Sequence, residues 1–173
     1  RPSNNAGNEK GKANKTPSEL GAEAAHRQQQ LAQAATRQAI DLAREQGTNS
    51  DATRSAIEFA REASEAASQA QVGRLDKAAE RASSASKKAE QISNELNSDA
   101  ARPTEAARQA RRLADEQDEL SESLQRLSQS DEATRGARQE GQMQLAQSSD
   151  SLSNQLKQVA SQLDSSPLNE QQS

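Results

Sequence analysis

The 173-residue sequence has no cysteine, no tryptophan and no tyrosine, and phenylalanine occurs once. Without cysteine there are no thiolate metal sites, and the redox compartment leaves no trace. Pockets for small ligands are usually lined with large apolar and aromatic groups, and this chain has almost none to offer. Leu, Ile, Val and Phe together number 20 residues, about 12% of the chain. No apolar run approaches the ~20 residues needed to span a bilayer, and no signal peptide is visible. No alternating β-branched run signals a strand. Histidine occurs once, as His26. The seven glycines are scattered singly, so no loop is built to cradle a phosphate. The chain begins with Arg1 rather than methionine, as expected of a processed product or a fragment.

What is present is alanine and charge. Fewer than about 20% large aliphatic and Phe residues with a high net charge reads as disorder. Here the net charge is only −4, from 26 acidic and 22 basic residues, so half of that signature is missing. Ala, Glu, Lys, Leu and Arg make up 85 of the 173 residues, including 32 alanines. With a period of 3.5 to 3.6, such a composition reads as long helix or coiled coil. Periodicity therefore decides between the two.

Residues 1–15 are Asn-, Gly- and Lys-rich, aperiodic and net basic, and are expected to be a disordered tail. Thr16-Pro17-Ser18-Glu19 is a helix start, with Thr16 as cap and Pro17 at the first helical position. The apolar face then runs Leu20, Ala24, Leu31, Ala35, Leu42, and Gly47 ends it. Thr48-Asn49-Ser50-Asp51 supplies new cap residues. Ala52, Ala56, Phe59, Ala63, Ala66 and Ala70 follow at alternating spacings of four and three, an unbroken heptad seam. A second seam holds Leu75, Ala78, Ala82, Ala85, Ala89, Ile92 and Leu96. The two seams are out of phase across Gly73. A turn at 72–74 lets both face inward; one long helix with a register slip is the alternative. Ser98 to Arg102 breaks the chain and Pro103 opens the next helix. Its seam is Ala106, Ala110, Leu113, Gln117, Leu120, Leu124 and Leu127, with Gln117 as one polar layer. The last helix starts near Asp131. Its strong part is Leu145, Leu152, Leu156, Val159 and Leu163, while Gly136 and Gly141 each cost its first half ~1 kcal/mol relative to Ala. Residues 165–173, from Ser165-Ser166-Pro167 onward, are again tail.

The fold expected is all-α: an antiparallel, alanine-rich bundle or set of coiled-coil hairpins with four to five long helices and disordered tails. The helices are placed at 17–46, 50–71, 75–97, 103–128 and 131–163, in one bundle over 16–164. Alanine favours helix and lets backbones approach, but it buries little area at ~25 cal/mol per Å². High helicity with a weak tertiary core follows, as does a gain from self-association or a partner helix. The Leu-rich 113–163 half is expected to be more stable than the Ala-rich 50–97 half.

Few residues suggest chemistry. Glu23 and His26 have the Glu-x-x-His spacing of a metal-binding helix face, but a di-iron bundle needs two such motifs and two further Glu residues. A solvated polar pair is the plainer reading. Asp115, Glu116, Asp118, Glu119 and Glu122 form an acidic cluster off the leucine seam, which reads as a solvated face rather than acid–base machinery. Arg108, Arg111, Arg112 and the tail lysines could touch phosphate, yet the chain is net acidic and lacks stacking aromatics. Nucleic-acid binding is not expected. Asn14-Lys15-Thr16 is a formal glycosylation sequon. Membrane-surface helices carry bulky apolar residues opposite Lys or Arg. Here the faces are mainly alanine and the helical region is net negative, so membrane contact is expected only indirectly or through a missing segment. One histidine and no strand scaffold support no Ser/His/Asp arrangement. No catalytic, cofactor-binding or metal residue is therefore assigned, and no cofactor is expected.

The order of elements carries one resemblance. An Ala-rich hairpin turns at Gln71-Val72-Gly73-Arg74-Leu75-Asp76-Lys77-Ala78-Ala79. A Gln/Leu segment follows, Arg112-Leu113-Ala114-Asp115-Glu116-Gln117-Asp118-Glu119-Leu120, then Leu124 and Leu127. Over roughly residues 50–163 this resembles Ala/Gln-rich helical regions of large membrane-anchored bacterial proteins of unknown function, especially those of planctomycetes. The resemblance implies envelope association and a scaffold role, and transfers no functional residue. The reading that results is a non-enzymatic structural or interaction module, a helical scaffold or assembly segment that associates with itself or with partner helices through its seams. The alternative is a largely disordered hydrophilic chain that folds on a partner or on dehydration.

Overall fold

The structure is a computed structural model that describes residues 14–98 and 104–164. Five helices account for nearly all of them: α1 (Pro17–Gln46), α2 (Asp51–Gln71), α3 (Leu75–Asn97), α4 (Glu105–Leu127) and α5 (Asp131–Asp164). No strand occurs among the described residues. Except for Asn14 and Lys15, the expected tails lie outside the described residues, and so does Pro103.

Local chemistry sets the helix starts. The hydroxyls of Thr16, Ser50, Thr104 and Ser130 accept the backbone N–H of Glu19, Thr53, Ala107 and Ala133 at 3.1–3.2 Å. Each satisfies one of the donors that the first helical turn leaves unpaired. Between α2 and α3 the chain turns at Gly73, whose φ of +80° is strained for any residue with a side chain. Of the two readings open across residues 50–97, the turn is the one observed.

Within α1 to α4, sequential helices run antiparallel. Ser55 on α2 meets Glu95 on α3, and Glu62 meets Arg81. Ser86 on α3 donates to the carbonyl of Ala114 on α4, and Ser121 donates back to that of Ala79. The α4 helix then returns to α1, where Gln38 lies against Ala106 and Gln28 against Gln117. The result is an up-down-up-down bundle of α1 to α4, with α5 laid across α1 and the end of α2.

Its core is continuous, and 21 of its 30 buried apolar residues are alanine. The seams of α2 and α3 are buried throughout, from Ala52 to Ala70 and from Leu75 to Leu96. The larger side chains Leu31, Leu42, Phe59, Leu75, Ile92, Leu120 and Leu124 fill what the alanines leave. Because a methyl buries so little, helix propensity and close backbone packing carry much of the stabilisation.

Three expectations are corrected. Leu20 is 40% exposed, because Gly21 and not Leu20 meets the neighbouring helix. The first half of α5 is the anchored half: Ala133, Gly136, Ala137 and Gly141 are buried. A Cβ added to Gly136 would collide with the Ser18 carbonyl, one at Gly21 with the Ala133 carbonyl, and one at Gly141 with Gln71. The glycines that weaken the helix locally are where it docks. The Leu-rich half also divides. Leu113, Leu120 and Leu124 are in the core, whereas Leu145, Leu152, Leu156, Val159 and Leu163 are all exposed.

Candidate functional site

The residues that suggested chemistry are placed apart. Glu23 pairs with Lys15, whose hydrogen bond and charge hold the Glu23 carboxyl below the usual range. The His26 ring faces Glu140 at 3.4 Å and Gln30 at 3.2 Å. Among the described residues no group of three His, Asp or Glu side chains could hold a metal ion. Asp115, Asp118, Glu119 and Glu122 are exposed and Glu116 is half-buried. Arg108 pairs with Glu105, and Arg111 with Glu90 and Asp115. The Thr16 hydroxyl of the sequon caps α1.

Glutamine does more in this fold than its polarity suggests. Gln28, Gln38 and Gln117 are buried in the bundle. Gln117 donates to the amide oxygen of Gln28 at 2.9 Å, and Gln28 donates to the Ala63 carbonyl at 3.3 Å. These two bonds tie α4, α1 and α2 at one level. Gln38 donates to the Ala106 carbonyl at 3.3 Å. The Oε1 atoms of Gln38 and Gln117 have no protein partner among the described residues. Gln28 and Gln38 fill the gaps that the apolar face of α1 leaves at Ala24-Gln28-Leu31 and Ala35-Gln38-Leu42. The heptad spacing passes through both, and that was the signal available in the sequence. Neutral amides of this kind fix register through hydrogen bonds and carry no titratable proton.

A second glutamine cluster marks where α5 leaves the bundle. Gln71 Nε2 donates to Gln29 at 3.2 Å and to Gln144 at 2.7 Å, and Gln144 donates to Glu140 at 3.2 Å. Beyond it the helix diverges. A cleft of about 570 Å³ opens between Gln33, Ser64 and Ser68 on the bundle and Leu145 and Ser148 on α5. A second of about 670 Å³ continues it past Gln30 and Leu152. Apart from Ala32 the bundle wall of these clefts is polar, so little on it matches the leucines across the gap.

From Leu145 to Asp164 the helix is thus an arm of 20 residues, roughly 30 Å long at 1.5 Å per residue. Leu145, Leu152, Leu156, Val159 and Leu163 are spaced 7, 4, 3 and 4 along it and are 51–66% exposed. They form one stripe at coiled-coil spacing. No helix among the described residues is long and apolar enough to cross a membrane. No protein-family model matches the chain, and neither does any curated protein or solved structure.

Proposed function

We propose that the chain is a non-enzymatic scaffold module, in which the α1–α4 bundle is a platform and the arm of α5 is its docking element. One observation carries this reading: five large apolar residues at coiled-coil spacing lie exposed on the helical segment that, among the described residues, leaves the core. A contiguous exposed apolar patch usually marks an interaction surface. The anchoring of the first half of α5 through close glycine contacts gives the arm a fixed point of departure. The resemblance over residues 50–163 supports a place at the bacterial cell envelope.

The test is to change Leu145, Leu152, Leu156, Val159 and Leu163 together to serine. The thermal midpoint of the platform at micromolar concentration should not move, while every association through the arm is lost. If the variant loses the bundle, the stripe belongs to the core and the reading fails. The alternative of a conditional folder draws on the alanine content of the core, since 21 of 30 buried apolar residues contribute only a methyl group. Low helicity by circular dichroism at every concentration would favour it.

A further inference from the structure

We infer that the arm docks on a second copy of itself, as an antiparallel two-helix coiled coil centred near residue 154. This deepens the scaffold reading and rests on it.

The stripe is complementary to its own reverse. Leu145, Leu152 and Val159 fall at one heptad position, and Ser149, Leu156 and Leu163 at the other. Reversed about residue 154, Leu145 of one copy meets Leu163 of the other, and Leu152 meets Leu156. Ser149 meets Val159, so no layer is wholly polar. Every layer joins one heptad position to the other, as antiparallel packing requires. The positions flanking the stripe are Ala146, Ser148, Ser153, Gln155, Ala160 and Gln162. None is charged, so nothing at the rim repels a second copy or selects a partner of opposite sign.

Charge and shape choose the antiparallel sense. Asp150 and Lys157 lie on the same flank, seven residues apart. Reversal brings Asp150 of each copy level with Lys157 of the other, one residue apart along the axis. Parallel pairing puts these flanks on opposite sides and stacks Ser149 on Ser149. It also forces the two bundles together at one end of the arms, whereas the antiparallel pair keeps them at opposite ends. The stripe offers roughly 500 Å² per copy, at the upper end of what monomers expose. Pairing two copies buries about 1,000 Å², enough for a specific but reversible dimer.

The experiment is sedimentation of the full chain from about 1 µM to 1 mM, chosen to bracket such a dimer. It is run beside the variant carrying Leu152→Glu and Leu156→Glu. Wild type should pass from monomer to dimer within this range, and the variant should dimerise at least 100-fold more weakly with an unchanged bundle melt. Because the chain has no cysteine, single-cysteine variants report the register. Gln155→Cys places the thiols on the same side of an antiparallel pair and should cross-link with a short reagent. Ser149→Cys sets them about 15 Å apart along the axis in that pair and should not; in a parallel pair the result reverses. Wild type that stays monomeric, a dimer that survives both glutamates, or cross-linking at 149 rather than 155 would each overturn the inference. A monomeric wild type would leave the scaffold reading to be judged by the serine variant alone.

Discussion

Replacing Gly136 by alanine sets two known effects against each other, and the structure decides the sign. Helix propensity alone makes Gly136→Ala a gain of about 1 kcal/mol. The new Cβ, however, would fall on the carbonyl of Ser18, which is backbone and cannot rotate away. Forcing a methyl into such a contact costs about 1–3 kcal/mol. If α5 lifts to relieve it, the methyls of Ala133 and Ala137 return to water, at about 0.8 kcal/mol each; both are fully buried. The balance is a net loss of up to about 2 kcal/mol, in place of the gain that propensity alone would give. Urea unfolding followed at 222 nm should give a lower midpoint with an unchanged slope. Gly21 faces Ala133 at the same crossing. Adding Gly21→Ala should therefore cost less than it does alone, because the helices are already apart. A rise of about 1 kcal/mol in either single variant, as propensity alone would give, would refute the close docking of α5 on α1.

The remaining predictions concern the core and the surface. Gln28→Leu should destabilise by about 1–3 kcal/mol, because it strands the buried amide of Gln117; the double Leu variant should be close to wild type in urea melts. Leu120→Asp with Leu124→Asp buries two charges in the core and should abolish the helical signal; unchanged helicity would contradict the burial described. The Lys88 ammonium, 2.6 Å from Glu58, holds that carboxyl below the usual glutamate range through a hydrogen bond and its charge. The folded-state pKa is depressed, so the small stabilisation exists above the ordinary glutamate value and fades as pH falls through the lowered one. The stability difference between wild type and Lys88→Met should therefore shrink on acidification. Both groups are more than a third exposed, so it should also shrink in high salt.

The sequence made most of the bundle legible, for reasons that lie in particular residues. From Ala52 to Leu96 small and large apolar groups recur at heptad spacing, and the phase change at Gly73 is met either by a turn or by a register slip in one long helix, of which the structure has the turn. Caps at Thr16 and Ser50 mark where helices begin. What could not be read is which partner each face meets. Gly136 and Gly141 have two meanings in a helix, low propensity or close approach, and only the position of α1 and α2 selects the second. Gln28 and Gln38 sit in the seam of α1, yet polarity hides them until an amide or carbonyl on another helix accounts for their burial. Periodicity likewise shows that Leu145 to Leu163 share a face, and it is silent on what covers that face. The leucines expected to make the strong part of the last helix are the ones the bundle leaves to solvent.

Hydrogen exchange along the full chain, at about 1 µM and again near 1 mM, tests the separation of platform and arm most directly. Most helical stability in proteins comes from tertiary packing rather than propensity, so the amides of an arm with nothing packed on it exchange quickly. The helices α1 to α4 and residues 131–144 should be protected equally at both concentrations. Residues 145–164 should exchange fast when dilute and slow when concentrated. Equal protection of the arm and the bundle at 1 µM would mean that the arm is packed within its own chain and would contradict the separation of platform and arm.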